Sequence, residues 1–175
     1  MKKKILFLVN IDSFFVSHRL SIATTLLKQG FEVHVGTQYT SYKNKLKKLG
    51  IVTHSINFNR NSFNLLKNLL TLKQIFKLVV KVRPDIFHLI SIKPIMFGGL
   101  LSYITPVKSL VISITGLGSM FIHNGVLYKL REKIFNFLYR IIFLFPNLKV
   151  ILQNNDDLNH LIKNCKLNKK NVILI

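Results

Sequence analysis

Short apolar runs alternate along the chain with longer segments in which apolar residues recur every three or four positions. A continuous run of about five apolar residues is typical of a parallel strand that is buried on both faces. The three-to-four spacing is typical of a helix with one buried face. The runs predict strands at residues 5–9, 31–35, 51–58, 86–90, 110–114, 149–153 and 171–175.

Helices are predicted between these strands, and glycine or proline marks several of their ends. Gly30 and Gly50 stand where helix C-caps are expected, and Pro84 and Pro146 follow two long helical segments. The alternation of strand and helix predicts an α/β fold, a single Rossmann-like doubly wound parallel sheet over residues 1–175. The predicted helices begin at residue 17 and cover residues 41–49, 63–82, 95–103, 126–145 and 154–163.

Three polar or glycine-rich turns follow the predicted first, fourth and fifth strands, at residues 10–19, 91–94 and 115–119. In the strand order common to dinucleotide-binding sheets, the first and fourth strands are neighbours. Ligands of such sheets bind where the carboxyl ends of the strands meet. This order predicts one crevice that all three turns border.

Basic residues and glycines in these turns are candidates for ligand binding. His18 and Arg19 are predicted to open the first helix, where backbone N–H groups favour an anion; a solvated helix start is the alternative. Lys93 suits a phosphate ligand, although a surface lysine is the default in so basic a chain. Gly116 and Gly118 let the backbone approach a ligand closely, with an ordinary glycine turn as the alternative.

The charge of the chain is extreme for 175 residues, with 26 lysines and arginines against 6 acidic residues and a formal net charge of +20. This charge favours an anionic partner, which could be nucleic acid, anionic lipid or a phosphorylated substrate. The single Cys165 excludes an internal disulfide and is compatible with a reducing compartment. Asn10 and Asp12 interrupt the first apolar run, which therefore predicts a strand and not a signal peptide.

Sequence motifs for several common chemistries are missing. The first turn has no G-x-G-x-x-G fingerprint, and the chain has neither a G-x-x-x-x-G-K-[ST] loop nor a G-x-S-x-G nucleophile elbow. Its histidines and single cysteine lack the spacing of metal ligands. No cofactor and no metal are therefore predicted. His88 is interpreted as a core histidine, and Asp156 and Asp157 as helix caps.

The segment 126–145 combines a narrow polar face with many aromatic and aliphatic residues. Lys129, Lys133 and Arg140 fall at helical spacing on the polar face. The nearly uncharged part is shorter than the ~20 residues that span a bilayer. The segment is interpreted either as a core helix or as an interfacial helix whose basic residues face lipid headgroups, and the net charge of the chain favours the second interpretation.

Five motifs, in the right order along the whole chain, resemble the amino-terminal half of family 4 glycosyltransferases. The greatest similarity is to bacterial members that extend lipid-linked sugars of surface polysaccharides. The motifs are FFVSHR from Phe14, LKQGFEV from Leu27, SIKPIMFG from Ser91, ITGLG from Ile114 and VILQNNDD from Val150. The IKP and TGLG turns are the more specific of them.

The resemblance implies a retaining enzyme of two facing Rossmann-like halves, of which this chain is the acceptor half. The implied acceptor is a polyprenyl-phosphate-linked saccharide, and the nucleotide sugar would bind a carboxy-terminal domain that this sequence lacks. The chain alone is expected to be inactive and peripheral to the cytoplasmic face of an anionic membrane. The implied acceptor contacts are Asn10, Asp12, His18, Arg19, Ser91, Lys93, Thr115, Gly116, Leu117 and Gly118.

Two alternatives belong to other functional classes. The chain could be a non-catalytic subunit that recruits a separate donor-binding chain to the membrane. It could also be a basic nucleic-acid-binding module. The second alternative is the weaker one, because the aromatic residues lie in core-like apolar runs and do not form a stacking platform interleaved with arginine. A specific nucleic acid partner is therefore not predicted.

Overall fold

A computed structural model describes residues 2–58, 65–117 and 126–175 of the chain. Its strands form one parallel sheet in the order β3-β2-β1-β4-β5-β6-β7. Near the centre, β1 and β4 lie side by side, with Phe7 paired to His88 and Val9 to Ile90. The strands are β1 (Lys4–Ile11), β2 (Glu32–Gln38), β3 (Val52–Ser55), β4 (Ile86–Ile90), β5 (Ser109–Ile114), β6 (Leu148–Leu152) and β7 (Val172–Leu174).

Helices cover the two faces of the sheet and enclose a separate core on each face. One face carries α1 (Asp12–His18), α2 (Leu20–Lys28) and α3 (Lys43–Lys48). The other face carries α4 (Leu65–Val82), α5 (Ile92–Leu101), α6 (Val126–Phe143) and α7 (Asn155–Cys165). Short 3-10 turns at Ser102–Ile104 and Lys169–Asn171 precede β5 and β7.

The predicted doubly wound parallel fold is confirmed, and so is the position of the first strand beside the fourth. β1 shows why its apolar run is unbroken: Leu6 and Leu8 enter one core while Phe7 and Val9 enter the other. A parallel strand covered on both faces has no solvent-facing side on which polar residues would alternate. The order also brings the carboxyl ends of β1, β4 and β5 to one edge of the sheet.

Two adjacent glycines allow α5 to pack closely on the sheet and on α6. A Cβ atom at Gly98 would lie 2.5 Å from Cδ2 of Leu89, and one at Gly99 would lie 2.8 Å from Cγ2 of Ile142. Both distances are far shorter than a normal contact between carbon atoms. The glycine pair therefore sets how near α5 approaches its neighbours.

The connection after β1 differs from the prediction. β1 continues through Asn10 and Ile11, α1 begins directly at Asp12, and the chain breaks at Arg19 before α2. The single helix predicted from residue 17 is therefore wrong at its start. β3 is also shorter than predicted, since only Val52–Ser55 pair with β2.

Candidate functional site

A small cavity lies at the edge where the carboxyl ends of β1, β4 and β5 meet. Its volume is about 150 Å³. The cavity brings together residues from all three turns that the sequence singled out, and α6 closes one side of it. Its described lining consists of Asn10, Ser91, Ile92, Ile95, Ile114, Thr115, Gly116 and Tyr139.

Ser91 holds the second turn in a strained backbone conformation. Its φ of 75° and ψ of 157° fall in a region that is otherwise almost restricted to glycine. The residue is the N-cap of α5, yet its side chain makes no capping hydrogen bond, while its carbonyl oxygen accepts from the backbone N–H of Ile95 at 3.0 Å. Ser91 lines the cavity in this conformation, and its hydroxyl takes no part in the helix cap.

The carboxylate of Asp157 holds the third turn in place by hydrogen bonds. Gly116 has a φ of +137°, and the backbone N–H of the following Leu117 donates to both carboxylate oxygens of Asp157 at 3.2 Å. Asn154 accepts from the Asp157 N–H at 2.7 Å and donates to Oδ2 of Asp157 at 2.9 Å. Asn154 is therefore the N-cap of α7, and Asp157, predicted as a cap, holds the turn.

Leu117 is a correction to the predicted ligand contacts. Its side chain is buried in the core and its N–H is used by Asp157. Thr115 and Gly116 are exposed and line the cavity as the third-turn prediction requires. Gly118 lies outside the described residues.

Two polar atoms of the cavity residues are buried without a hydrogen-bond partner. They are the side-chain oxygen of Asn10 and the hydroxyl oxygen of Tyr139. Burial raises the pKa of the Tyr139 phenol, so this hydroxyl stays neutral at physiological pH. A ligand with hydroxyl groups could satisfy both atoms, because a hydroxyl both donates and accepts.

The sequence did not single out Tyr139 as a site residue. Its ring stacks on Phe135 at 4.1 Å between centroids and meets Phe143 edge-on, as a core aromatic would. In the sequence it is one of several aromatics in an apolar segment, and nothing there separates it from the others. Only the packing of α6 against α5 makes Tyr139 part of the cavity lining.

Asp12 is also not available to a ligand. Its side chain is fully buried and accepts hydrogen bonds from the N–H groups of Thr40, Ser41 and Tyr42 and from the hydroxyl of Thr40. These bonds lower the pKa of the carboxyl, although burial acts in the opposite direction. Asp12 thus ties the start of α1 to the segment before α3, which corrects the prediction that it contacts the acceptor.

His18 does not open a helix, as predicted, but ends α1. It is exposed, its ring stacks on Phe14 at 4.2 Å, and its Nδ1 lies 2.6 Å from the hydroxyl oxygen of Ser17. Lys93 lies in the first turn of α5, where partial burial lowers the pKa of its ammonium group. The described lining of the cavity includes neither residue.

Arg19 occupies the break between α1 and α2 and is only 7% exposed. Its Nη1 donates to the carbonyl oxygen of His18 at 3.0 Å. Burial of His88, together with the nearby charge of Arg19, lowers the pKa of His88 to about 3. His88 lies 2.7 Å from the Ser113 hydroxyl through Nε2, so the interpretation as a hydrogen-bonded core histidine is confirmed.

α6 is a core helix on one side and an exposed apolar helix on the other. Phe135, Tyr139 and Ile142 are buried, whereas Phe137 is 60% exposed and Leu144, just beyond the helix, 77% exposed. The predicted basic residues Lys129, Lys133 and Arg140 are also exposed, and Nε of Arg140 donates to the carbonyl oxygen of Asn164 at 2.8 Å. Within the described residues, no helix is long and apolar enough to cross a membrane.

Apolar residues are also exposed on α4 and in the 3-10 turn after α5. Helices α4, α5 and α6 form one layer, with α5 between the other two. The apolar outer surface of this layer comprises Leu65, Leu66, Leu69, Leu70, Tyr103, Ile104, Leu130, Ile134, Phe137 and Leu144. Such an extent of exposed aliphatic side chains is typical of a surface that contacts another apolar phase or a partner.

Three larger hollows lie elsewhere in the described part of the chain, and the one of about 420 Å³ at Thr53, His54 and Lys77 does not contain the residues of the three turns. A groove of about 440 Å³ runs between Gln38 and α4 beside Leu70. A basic cleft of about 730 Å³ at the opposite edge of the sheet is lined by Lys2, Lys3, Lys4, Lys81, Arg83 and Lys108 with Glu32 and Asp85. Neither the groove nor the cleft contains the residues of the three turns, so the 150 Å³ cavity is the candidate site.

A family model described as glycosyl transferase 4-like matches residues 4–146. Among solved structures, a glycosyltransferase from Rickettsia africae is similar over 99% of the chain, with 21% identity and a TM-score of 0.66. A UDP-N-acetylglucosamine 2-epimerase from Listeria monocytogenes, described as putative, is similar over 98% of the chain, with 12% identity and a TM-score of 0.68. MurG from Acinetobacter baumannii is similar over 98%, with 14% identity and a TM-score of 0.61.

The chain spans less than half the length of these solved structures: 42% of the first, 44% of the second and 43% of the third. At identities this low, the likeness concerns the fold alone. No curated protein matches the chain.

Proposed function

The chain belongs to the glycosyl transferase 4-like family, and we propose that it is the acceptor-binding domain of a retaining glycosyltransferase that builds a cell-surface polysaccharide. The acceptor would be a saccharide linked to a polyprenyl phosphate. The sugar donor would be a nucleotide sugar held by a domain supplied elsewhere. On this proposal the chain by itself binds the acceptor and does not transfer sugar.

The observation that carries the proposal is the cavity in which the three turns meet. It lies at the edge of the sheet where parallel α/β folds bind ligands, and its lining residues Asn10 and Tyr139 each have a buried side-chain oxygen without a hydrogen-bond partner. Ser91 and Thr115 add hydroxyl groups, whereas Ile92, Ile95 and Ile114 provide apolar surface. Neutral hydrogen-bonding groups beside apolar walls suit a sugar ring with its alternating hydroxyl and C–H faces.

The residues of the cavity bind and orient an acceptor hydroxyl and do not attack the donor. Within its described lining the cavity has no carboxylate, histidine or cysteine that could form a covalent intermediate. Catalysis by this arrangement would come from holding the acceptor oxygen close to the donor carbon, an effect of proximity and orientation. The departing phosphate of the donor would then take the proton of the acceptor hydroxyl.

The apolar outer surface supports a lipid-linked acceptor and a peripheral position at the cytoplasmic face of the membrane. Phe137 and Ile134 lie on α6 with Lys129 and Lys133 beside them, which is the composition of an interfacial helix. A domain resting on the membrane would meet its acceptor at the depth of the phosphate groups. The net charge of +20 adds attraction to anionic lipids.

Removal of the Tyr139 hydroxyl tests the cavity directly. Tyr139→Phe keeps the ring that stacks on Phe135 and deletes a buried oxygen without a partner, so the free energy of unfolding should stay the same or rise. Affinity for a polyprenyl-diphosphate-linked saccharide should fall by about tenfold if the hydroxyl bonds the sugar. Equal binding by the variant and the wild type would contradict this site.

Tyr103→Phe is the matched control. The Tyr103 hydroxyl donates to the carbonyl oxygen of Ile141 at 2.6 Å, away from the described lining of the cavity. Its removal should cost about 1 kcal/mol of stability and leave acceptor binding unchanged. Transfer should appear only when a donor-binding domain is added to the chain with a panel of nucleotide sugars. Turnover by the 175-residue chain alone would contradict the proposal that this chain binds only the acceptor and needs a separate donor-binding domain.

A non-catalytic membrane-recruiting subunit is the second candidate, favoured by the apolar outer surface itself. In that case the chain would bind vesicles and a separate donor-binding chain, and Tyr139→Phe would leave transfer by the assembled pair unchanged. Competition of nucleic acid with vesicles, with a preference for one sequence, would instead favour a nucleic-acid-binding module.

A further inference from the structure

Arg19 is a buried cation for which this chain provides no counter-charge. It is 7% exposed, and its Nε has no hydrogen-bond partner. A charged guanidinium removed from water costs several kcal/mol unless an anion or a set of hydrogen bonds compensates it. One hydrogen bond to the carbonyl oxygen of His18 does not supply a counter-charge.

All six acidic residues of the chain lie within its described part, and none pairs with Arg19. Asp12 bonds the segment 40–42, Glu32 bonds His34, and Asp85 bonds Lys108. Asp157 holds the N–H of Leu117, and the remaining two, Glu132 and Asp156, form no ion pair with Arg19. The positive charge is accordingly left for a partner from outside the chain.

Arg19 and His88 lie on the face of the sheet that carries α1 and α2, whereas the cavity is lined from the α5 and α6 face. The charge of Arg19 acts on His88, and His88 bonds Ser113, which precedes the cavity residues Ile114 and Thr115. Arg19 is also the N-cap of α2, whose first turn contains no acidic residue and whose cap has no side-chain hydrogen bond. Backbone N–H groups at that end of a nine-residue helix attract an anion in their own right.

We propose that Arg19 and the amino end of α2 form a binding site for a phosphoryl group. The guanidinium has donors in a rigid fork that matches phosphate oxygens, and its buried position makes the pairing strong. The site deepens the proposed function and rests on it, because a phosphorylated lipid or a nucleotide would bring the anion to this edge of the sheet.

The first test uses inorganic pyrophosphate as the probe, with binding followed by calorimetry and by thermal unfolding. Pyrophosphate should raise the Tm of the wild-type chain with saturable binding. Arg19→Gln should weaken that binding by about tenfold or more. Arg83→Gln is the matched control, since Arg83 is exposed and lines the cleft at the opposite edge. Equal binding by the wild type and Arg19→Gln, or equal loss in both variants, would overturn the site.

The stability of the unliganded variant separates ligand binding from a structural role. Arg19→Gln removes a buried charge that lacks a counter-ion, so the free chain should unfold at the same Tm or a higher one. A large fall in Tm with wild-type pyrophosphate affinity would show that Arg19 only supports the fold. If Arg19→Gln does not fold, selective 15N labelling of arginine in the wild type provides the measurement. The Nε–Hε signal of Arg19 should then shift on addition of pyrophosphate, and an unchanged signal would overturn the proposal.

Two further probes identify the source of the phosphoryl group. Tighter binding of farnesyl diphosphate than of UDP, lost in Arg19→Gln, supports a lipid-linked ligand, and the reverse order supports a nucleotide. Unchanged anion binding in Arg19→Gln, in a chain that supports sugar transfer when the donor domain is added, overturns the anion site alone. Arg19-dependent anion binding in a chain that never supports transfer overturns the proposed function alone.

Discussion

Ser91 shows how one residue can carry a conformational cost at a binding edge. Its φ of 75° and ψ of 157° are accessible to glycine and costly, by about 1–3 kcal/mol, to any residue with a Cβ. The turn nevertheless has a serine, which lines the same cavity as Asn10 and Tyr139. Strain at such a position is understandable if the hydroxyl is needed for a ligand.

Replacement of Ser91 by glycine and by alanine should reverse the usual order of stability. Ser91→Gly relieves the strained φ, whereas Ser91→Ala keeps it, so the glycine variant should be the more stable by about 1 kcal/mol in urea unfolding. At Ser21, exposed in α2, the glycine variant should be the less stable by about 1 kcal/mol. The same order at both positions would show that Ser91 is unstrained.

Acid should destabilise the fold through histidines that are held neutral. Burial and the charge of Arg19 lower the pKa of His88 to about 3, while burial and the neighbouring charges of His34 and Lys81 lower that of His54 to about 4. The unfolded chain binds these protons first, so the contribution to stability is full above about pH 6.5 and is lost as the pH falls towards the folded pKa. For His88 the loss between pH 6.5 and pH 5 is about 2 kcal/mol.

His88→Gln isolates this effect in urea unfolding at pH 7 and pH 5. The variant should lose less stability between the two pH values than the wild type, by about 2 kcal/mol. Phe87→Leu is the control, because it removes core packing without a titrating group and should lower stability equally at both. An unchanged pH dependence in His88→Gln would contradict the buried neutral histidine.

α5 depends on its two glycines for its approach to the sheet. Gly99→Ala would place a methyl group 2.8–2.9 Å from three carbon atoms of Ile142 on α6. The overpacking should cost about 1–3 kcal/mol, more than the ~1 kcal/mol that alanine gains over glycine inside a helix. Thermal unfolding should therefore show a lower Tm for Gly99→Ala.

Ile142→Val provides the compensating change. Alone it removes a buried methylene group and should cost about 1 kcal/mol. Combined with Gly99→Ala it makes room for the new methyl group, so the double variant should be more stable than the sum of the two single effects predicts. Simple additivity would show that α5 and α6 do not interlock at this point.

α6 predicts a charge-dependent interaction with membranes. Wild-type chain should float with anionic vesicles and not with neutral ones, and salt should weaken the binding. Changing Lys129, Lys133 and Arg140 to glutamate should lower the affinity by about tenfold or more. Phe137→Ser should instead reduce the part of the binding that survives high salt.

The control for this experiment carries the same change of charge on the opposite layer. Lys45, Lys47 and Lys48 are exposed on α3, and their replacement by glutamate should affect vesicle binding far less. Equal losses in the two triple variants would point to overall charge as the cause. Failure of the wild type to float with either vesicle type would contradict membrane binding by the apolar outer surface.

The sequence predicted most of the fold because each strand is a local apolar run and the parallel order follows from the alternation with helices. It also predicted that the turns around Ser91 and Gly116 would meet, since both end neighbouring strands. It did not predict the break at Arg19. The break follows a helix whose first residue, Asp12, accepts hydrogen bonds from the N–H groups of residues 28–30 positions further on, which no local pattern reveals.

Two other features were beyond the sequence for the same reason. Tyr139 cannot be told from its aromatic neighbours in the sequence, and only the packing of α6 makes it a lining residue of the cavity. α6 has a buried side, as the core interpretation requires, and an exposed side on which the interfacial interpretation stays a prediction. The side that faces the sheet depends on the fold of the whole domain. Site residues of this kind can be identified only from the three-dimensional structure.

The strand order also has a consequence for the synthesis of the chain. β1 is translated first but lies near the centre of the sheet, and it pairs on one side with β4, where Lys4 and Asp85 are 81 residues apart. A ribosome adds about 5–20 residues per second, so several seconds pass between the synthesis of β1 and that of β4. During this time β1 lacks its partner strand on that side. We therefore expect the nascent chain to bind chaperones until β4 emerges, and to fold slowly on dilution from denaturant because its pairings are so distant.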